Sequence, residues 1–259
     1  MELINIAGLK VNKESLIQQW NDPSKPFRYL VYDNFFHPEK AELILENYPN
    51  VIDKGQWDGT TYIHQKNKFT KTKFDESEHV LQQVFNEMND PDFLTMLSEF
   101  TGIDTLLGDE DLFGGGLHQS LKGAFLNVHV DFNLHEKTKY HRRMNAIVYM
   151  NKNWKEEYNG YLELWDMRTK TMIANVAPVF NRLVIFETNE VSYHGHPKPL
   201  NTPSDISRKS LAVYYYTKER PLEEIAAEHN TVYVNTEGNK GVLKVFLSGM
   251  KALKERLFK

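Results

Sequence analysis

His129-Val130-Asp131 sets an imidazole and a carboxylate two residues apart. On a β-strand that spacing puts both on one face, within reach of one metal ion. Such a pair takes one more nitrogen ligand to complete the two-histidine, one-carboxylate set that holds Fe(II) with coordination positions open. The segment Ser192-Tyr193-His194-Gly195-His196-Pro197 supplies it, 63 residues (194 − 131) beyond Asp131, and strand alternation does not choose between His194 and His196. A third group is Arg208-Lys209-Ser210, in which Arg208 and Ser210 share a strand face. An arginine at the end of a barrel strand grips a carboxylate bidentately, with a hydroxyl as second donor. A metal site plus a carboxylate grip suits a 2-oxo diacid, whose 2-oxo acid end chelates Fe(II) while the distal carboxylate is neutralised deeper in the fold. Taken singly, each group has an ordinary explanation as a structural histidine, a loop histidine or a surface arginine.

A scaffold must bring these distant residues together. From about Leu117, short runs rich in Val, Ile, Tyr, Phe and Leu predict strands near 117–121, 124–130, 143–150, 161–165, 171–176, 182–187, 191–196 and 209–217. Strands at this spacing indicate a sandwich or barrel rather than βαβ units. The expected fold is mainly β with flanking helices around a double-stranded β-helix core, a cupin-like jelly roll. Upstream, Phe27 to Asp33 reads as a strand, and Pro38 opens a helix carrying Ala41, Leu43, Ile44 and Leu45. Apolar positions at helical spacing predict a helix over 77–88 that Pro91 breaks, and Phe93, Leu94, Met96, Leu97 and Phe100 predict another that Gly102 ends. A tail helix is expected over 242–258. One domain over 1–259 is expected, with a support region at 1–110, the β core at 111–220 and a helical tail at 221–259.

Several function classes are disfavoured. A net charge of -4 gives no electrostatic footprint for nucleic acid, and Lys66, Lys68, Lys71 and Lys73 read as a solvated loop. The absence of cysteine excludes thiolate metal sites and cysteine nucleophiles. With no apolar run of membrane-span length and no leader-like start, no membrane partner and a cytoplasmic location are expected. Gly114-Gly115-Gly116 reads as a turn, because no Gly-Lys-Ser/Thr follows it. His37-Pro38-Glu39 reads as a helix start.

Beyond these groups, an ordered string of segments resembles the prolyl 4-hydroxylase-like branch of the Fe(II)/2-oxoglutarate oxygenases, over about 112–217. It runs through His129-Val130-Asp131, Tyr149-Met150-Asn151-Lys152-Asn153-Trp154, Asn159-Gly160-Tyr161-Leu162, Phe180-Asn181-Arg182-Leu183, Ser192-Tyr193-His194 and Arg208-Lys209-Ser210. The resemblance implies His129, Asp131 and His194 as iron ligands and prefers His194 to His196. It implies Arg208, Tyr149 and Ser210 as contacts to 2-oxoglutarate, with O2 as second cosubstrate and ascorbate as an accessory reductant. Asp131 favours hydroxylation over halogenation, with succinate and CO2 released. Gln119, where the hypoxia-sensing relatives place a pocket tyrosine, is expected in the substrate pocket with Asn133 and Tyr140. His135 and His141 are expected at the entrance, and 133–142 as a lid. The implied substrate is a prolyl residue in a peptide or protein, with a free amino acid, saccharide or other small metabolite as runner-up. A cupin-like metal- or sugar-binding module without turnover is the rival from another class; it has no use for Arg208.

Overall fold

The computed structural model describes residues 1–49, 57–62, 64–234 and 236. Its N-terminal part supplies α1 (Ile6–Val11), α2 (Lys13–Trp20), β1 (Tyr29–Asp33) and α3 (Pro38–Glu46). The hairpin β2 (Asp58–Tyr62) and β3 (Gln65–Lys71) follows, then α4 (His79–Met88) and α5 (Pro91–Thr101). The barrel strands are β4 (Gly116–Val130), β5 (His141–Tyr149), β6 (Leu162–Asp166), β7 (Thr171–Val176), β8 (Arg182–Glu187), β9 (Tyr193–His196) and β10 (Arg208–Thr217), with a short β11 (Val232–Tyr233). Gly102 closes α5 as expected, at φ +69°, whereas Pro91 not only ends the preceding helix but opens α5, with the Asp90 side chain capping Asp92 N–H at 2.8 Å. No described helix is long and apolar enough to cross a membrane.

The strands run in the order β1-β8-β5-β10-β4-β9-β6-β7, with β3 on β4 and β2 on β3. All the described pairings are antiparallel. β4 belongs to both halves of the fold. Its first half pairs β10 through Leu117 to Ser120, and its second half pairs β9 through Leu126 and His129. The predicted break between 121 and 124 is therefore a bulge within one strand, where Gly123 takes φ +76° and the β3 register shifts. This is the two-sheet architecture of a double-stranded β-helix.

Period-2 alternation sorts the barrel side chains. Met144, Ala146 and Val148 on β5, with Leu211, Val213 and Tyr215 on β10, join the core that the N-terminal helices cover. Their neighbours face the barrel interior, where Tyr149, Leu162, Leu164, Val184 and Phe186 form a second apolar cluster. The helical layer is fastened by polar anchors. The Glu87 carboxylate accepts backbone N–H bonds from Glu2, Leu3 and Ile4 at 2.8–3.2 Å, and Trp20 Nε1 donates to Thr101 O at 2.9 Å.

Two expectations need correction. Lys66 to Lys71 is not a loop but strand β3, with Lys71 paired to Glu78 at 2.7 Å and Lys68 facing the barrel cavity. The described part of the tail is not helical beyond a short 3-10 turn at Leu222–Glu224; it returns as an extended strap whose β11 pairs the end of β4. The expected helix over 242–258 lies outside the described residues.

Candidate active site

His129 and His194 are register partners on β4 and β9, and Asp131 follows directly after β4. Asp131 Oδ1 lies 3.4 Å from His129 Nε2, and Oδ2 lies 3.4 Å from His194 Nε2. One ligand atom from each of the three lies within 4.8 Å of the others, an arrangement that can hold a metal ion. Each imidazole is aimed through its other nitrogen. His129 Nδ1 lies 2.8 Å from Asn127 O, and His194 Nδ1 lies 3.0 Å from Ser192 O. A carbonyl oxygen only accepts, so both Nδ1 atoms carry the hydrogen and both Nε2 lone pairs face Asp131. Burial pushes the His194 imidazole down to about 4, which keeps it neutral and available as a ligand.

Asp131 is fixed from behind by β5. Its Oδ2 accepts from Asn145 Nδ2 at 2.7 Å and from Arg142 Nη2 at 3.0 Å, while Asn145 Oδ1 accepts from Arg142 Nε and Nη2 at 2.9 and 2.7 Å. Arg142 is only 1% exposed, and its guanidinium is sandwiched 4.3 Å from the Phe132 ring and 3.5 Å from the Tyr214 ring. Burial alone would raise the Asp131 pKa. The Arg142 charge, with His194 and His129 acting the same way, outweighs it and holds the carboxyl well below the usual carboxylate range. The site therefore presents an ionised carboxylate and two directed imidazoles, a donor set that fits a divalent ion such as Fe(II).

The cavity above these groups measures about 250 Å³ and runs from the triad to Arg208 and Tyr149. Arg208 donates from Nε to Gly160 O at 2.7 Å and from Nη2 to the Tyr149 hydroxyl at 3.2 Å, and it lies over the Tyr149 ring at 4.8 Å. Among the described residues no carboxylate sits within ion-pair distance of it, although it is buried. A buried, unpaired guanidinium needs an anion. Ser210, one pair further along β10 and opposite Tyr149 and His118, lines the same cavity. His196 stands on the His194 face of β9 and lines the cavity too, and its buried Nδ1 lacks a protein partner. It takes no place in the three-residue cluster.

The structure thus gathers His129, Asp131, His194, Arg208, Tyr149 and Ser210 into one cavity. It does not bring Gln119, Asn133 or Tyr140 to the cavity lining. Gln119 alternates with His118 and Ser120 and so faces away, bonding Ser207 Oγ at 2.6 Å. Asn133 instead ties down the C-terminal strap through Ala227 O at 2.7 Å and His229 N at 3.0 Å. Tyr140 closes the 133–142 hairpin, its carbonyl accepting from His135 N at 2.9 Å. His135 is buried against Phe113 and Tyr216 rather than at an entrance, and His141 pairs Thr217 outside the cavity. It is the strap that reaches the cavity, through Thr231 and Tyr233. Sequence reasoning also missed Lys68, His118, Ser120, Arg142 and Asn145. Alternation back from Tyr149 through Ile147 would have found Asn145, and alternation on 117–121 would have paired His118 with Ser120.

The jelly-roll barrel thus gathers two histidines, a carboxylate and a buried arginine in one cavity, a donor set that suits a divalent metal and a carboxylate-bearing 2-oxo acid. Residues 115–216 match the 2OG-Fe(II) oxygenase superfamily. Proteins of this superfamily use Fe(II), 2-oxoglutarate and O2. Among curated proteins the chain is 29% identical over 195 residues to the mouse (Mus musculus) prolyl 3-hydroxylase OGFOD1, covering 74% of this chain and 33% of that protein. It is 30% identical over 82 residues to the human prolyl hydroxylase EGLN3, covering 32% of each. The chain spans about a third of the length of these curated relatives. The fold is that of a prolyl hydroxylase from Trichoplax adhaerens, solved in complex with a hypoxia inducible factor peptide fragment. That likeness has a TM-score of 0.60 at 15% identity and covers 81% of this chain and 92% of the other. A prolyl-4-hydroxylase from Pseudomonas putida gives a TM-score of 0.55 at 17% identity, covering 78% and 98%.

Proposed function

We propose that the protein is an Fe(II)- and 2-oxoglutarate-dependent dioxygenase that hydroxylates a prolyl residue in a peptide or protein, releasing succinate and CO2. The observation that carries the reading is the presence, in one cavity, of a directed His129/Asp131/His194 set and an unpaired, buried Arg208. A binding module without turnover has no need of the second. In this reading His129, Asp131 and His194 hold the iron, and Arg208, with the Tyr149 and Ser210 hydroxyls, receives the distal carboxylate of 2-oxoglutarate. The bound metal and cosubstrate supply the oxygen-activating chemistry. The protein's part is to orient the ligands and keep water from the reacting carbon. Asn127 O and Ser192 O fix the two imidazole tautomers, and Arg142 with Asn145 keeps Asp131 ionised and immobile. The apolar cluster at Leu162, Leu164, Val184 and Phe186 packs beside these groups. The prolyl substrate is supported by the two prolyl hydroxylases among the relatives and by the peptide-bound structural neighbour. A cytoplasmic location belongs to the same reading, supported by a chain without cysteine.

Iron-loaded protein given 2-oxoglutarate, O2 and proline-containing peptides tests the reading. It predicts succinate in proportion to peptide that has gained one oxygen, with fragment masses placing that oxygen on a proline ring. Succinate coupled to oxidation of a small metabolite, with peptides untouched, would overturn the substrate class. No succinate under any condition would overturn the activity.

A further inference from the structure

Lys68 was expected in solvent and is instead part of the cavity wall. β3 pairs β4 with Lys68 opposite Ser120, and β10 pairs β4 with Arg208 opposite the same Ser120. The three residues form one row across three adjacent strands, and all three line the cavity. Register partners sit about 5 Å apart, so the Lys68 and Arg208 backbones stand roughly 10 Å apart with both long side chains directed inward over the serine hydroxyl.

The charges along the cavity wall are uneven. Lys68, Arg142 and Arg208 are set against a single carboxylate, Asp131. Arg142 is bound to that carboxylate at 3.0 Å. Lys68 and Arg208 remain, and among the described residues neither has an acid within ion-pair distance. A buried guanidinium and a half-buried ammonium beside one hydroxyl are an unfavourable arrangement without an anion between them. Resting on the function proposed above, we propose that Lys68 is a second cation of the 2-oxoglutarate site, holding the distal carboxylate across Ser120 from Arg208.

The surroundings of the ammonium also bear on its charge. It is faced by His118 and Asp131 from β4 and its end, Arg208 from β10, Arg142 from β5 and His196 from β9. Burial lowers Lys68 to about 8, with Arg208 and Arg142 pushing the same way against Asp131. The ligand-free cation is therefore present below that pH and lost above it. A carboxylate beside Lys68 favours the charged form, so binding weakens as pH rises through about 8.

The test is anaerobic binding, with no turnover required. Fe(II)-loaded wild type, Lys68→Met and Lys68→Arg are titrated with 2-oxoglutarate and with 2-oxopentanoate, which keeps the chelating end but lacks the distal carboxylate. The charge-transfer absorbance of the chelate is the readout. Lys68→Met should weaken 2-oxoglutarate by about 10-fold or more, the loss of one charge-assisted bond, and leave 2-oxopentanoate and metal affinity unchanged. Lys68→Arg should restore 2-oxoglutarate binding and abolish its weakening above pH 8, because a guanidinium does not titrate there. Equal weakening of both 2-oxo acids, or of neither, overturns the assignment, as does an unaltered pH profile in Lys68→Arg, the variant that retains the charge if Lys68→Met fails to fold. No chelate in the wild type overturns the proposed function as well, whereas a wild-type chelate indifferent to Lys68 overturns this assignment alone.

Discussion

Replacing Arg142 with methionine removes the charge behind Asp131 while keeping an unbranched side chain between the Phe132 and Tyr214 rings. The guanidinium makes three polar contacts of 2.7–3.0 Å to Asp131 and Asn145 and is 1% exposed. Its loss leaves the Asp131 charge without a cation beside it and with the neutral Asn145 amide as its remaining hydrogen-bond donor among the described residues. Breaking a buried pair in this way is destabilising by about 3–5 kcal/mol. For a chain of this size that lowers the melting temperature of the metal-free protein by roughly 6–20 °C. The carboxylate also loses its orientation, and removal of such an outer contact lowers metal affinity by roughly 10–100-fold. Arg142→Lys should recover only part of either loss, since an ammonium cannot bridge Asp131 and Asn145 as a fork or stack between the rings. Differential scanning fluorimetry with and without Mn(II), together with equilibrium dialysis of the metal, reads both quantities. Unchanged metal affinity in a folded Arg142→Met protein would refute the claim that β5 sets the carboxylate.

Other perturbations separate the parts of the site. Gly160 sits at φ +74°, and a Cβ there would stand 2.4 Å from Leu200 Cδ2 and 3.1 Å from Arg208 Cδ; Gly160→Ala should weaken 2-oxoglutarate by about 10-fold or more through displaced Arg208 bonds while metal binding by dialysis stays intact. Asn133→Ala should loosen the strap that carries Thr231 and Tyr233, costing about 1–3 kcal/mol and speeding proteolysis near 227–234. His118 is held neutral well below its ordinary pKa, by burial and then by Lys68, and it donates to Gly114 O or Gly115 O at 3.1 Å. The unfolded chain takes up this proton near pH 6.5 and the folded one resists it, so stability falls as pH drops below about 6.5. The urea midpoint of His118→Gln should fall less between pH 7 and pH 5 than that of the wild type; an equal fall would place the titration elsewhere.

The barrel was legible because its strands carry two-residue alternation and its turns carry Gly, Pro and Asn. The triad was legible for a related reason: His129 and Asp131 lie on one strand, and Tyr149, His194 and Arg208 follow in a recognisable order. What escaped depends on register between strands. Nothing local to Lys66-Asn67-Lys68 shows that Lys68 pairs with Ser120, because the polar β3 gains its place from hydrogen bonds to β4 and not from an apolar stripe. Gln119 failed by one position, since a single-residue step on a strand reverses the face. Asn133 and Tyr140 follow the HxD segment closely, yet the hairpin they build turns away from the cavity, a matter of turn geometry that residue types alone do not set. Arg142 reads as a surface charge until Phe132, Tyr214 and Asn145 are seen around it.

The assignment of the iron ligands meets its most direct test in an anaerobic titration of Fe(II) and 2-oxoglutarate into wild type, His194→Ala and His196→Ala. The two histidines are neighbours on one face of β9, but only His194 has its Nε2 on Asp131. A weak visible charge-transfer band in the wild type, retained in His196→Ala and absent from a folded His194→Ala, is the predicted result. A band that persists without His194, or that never forms in metal-loaded wild type, would contradict the account.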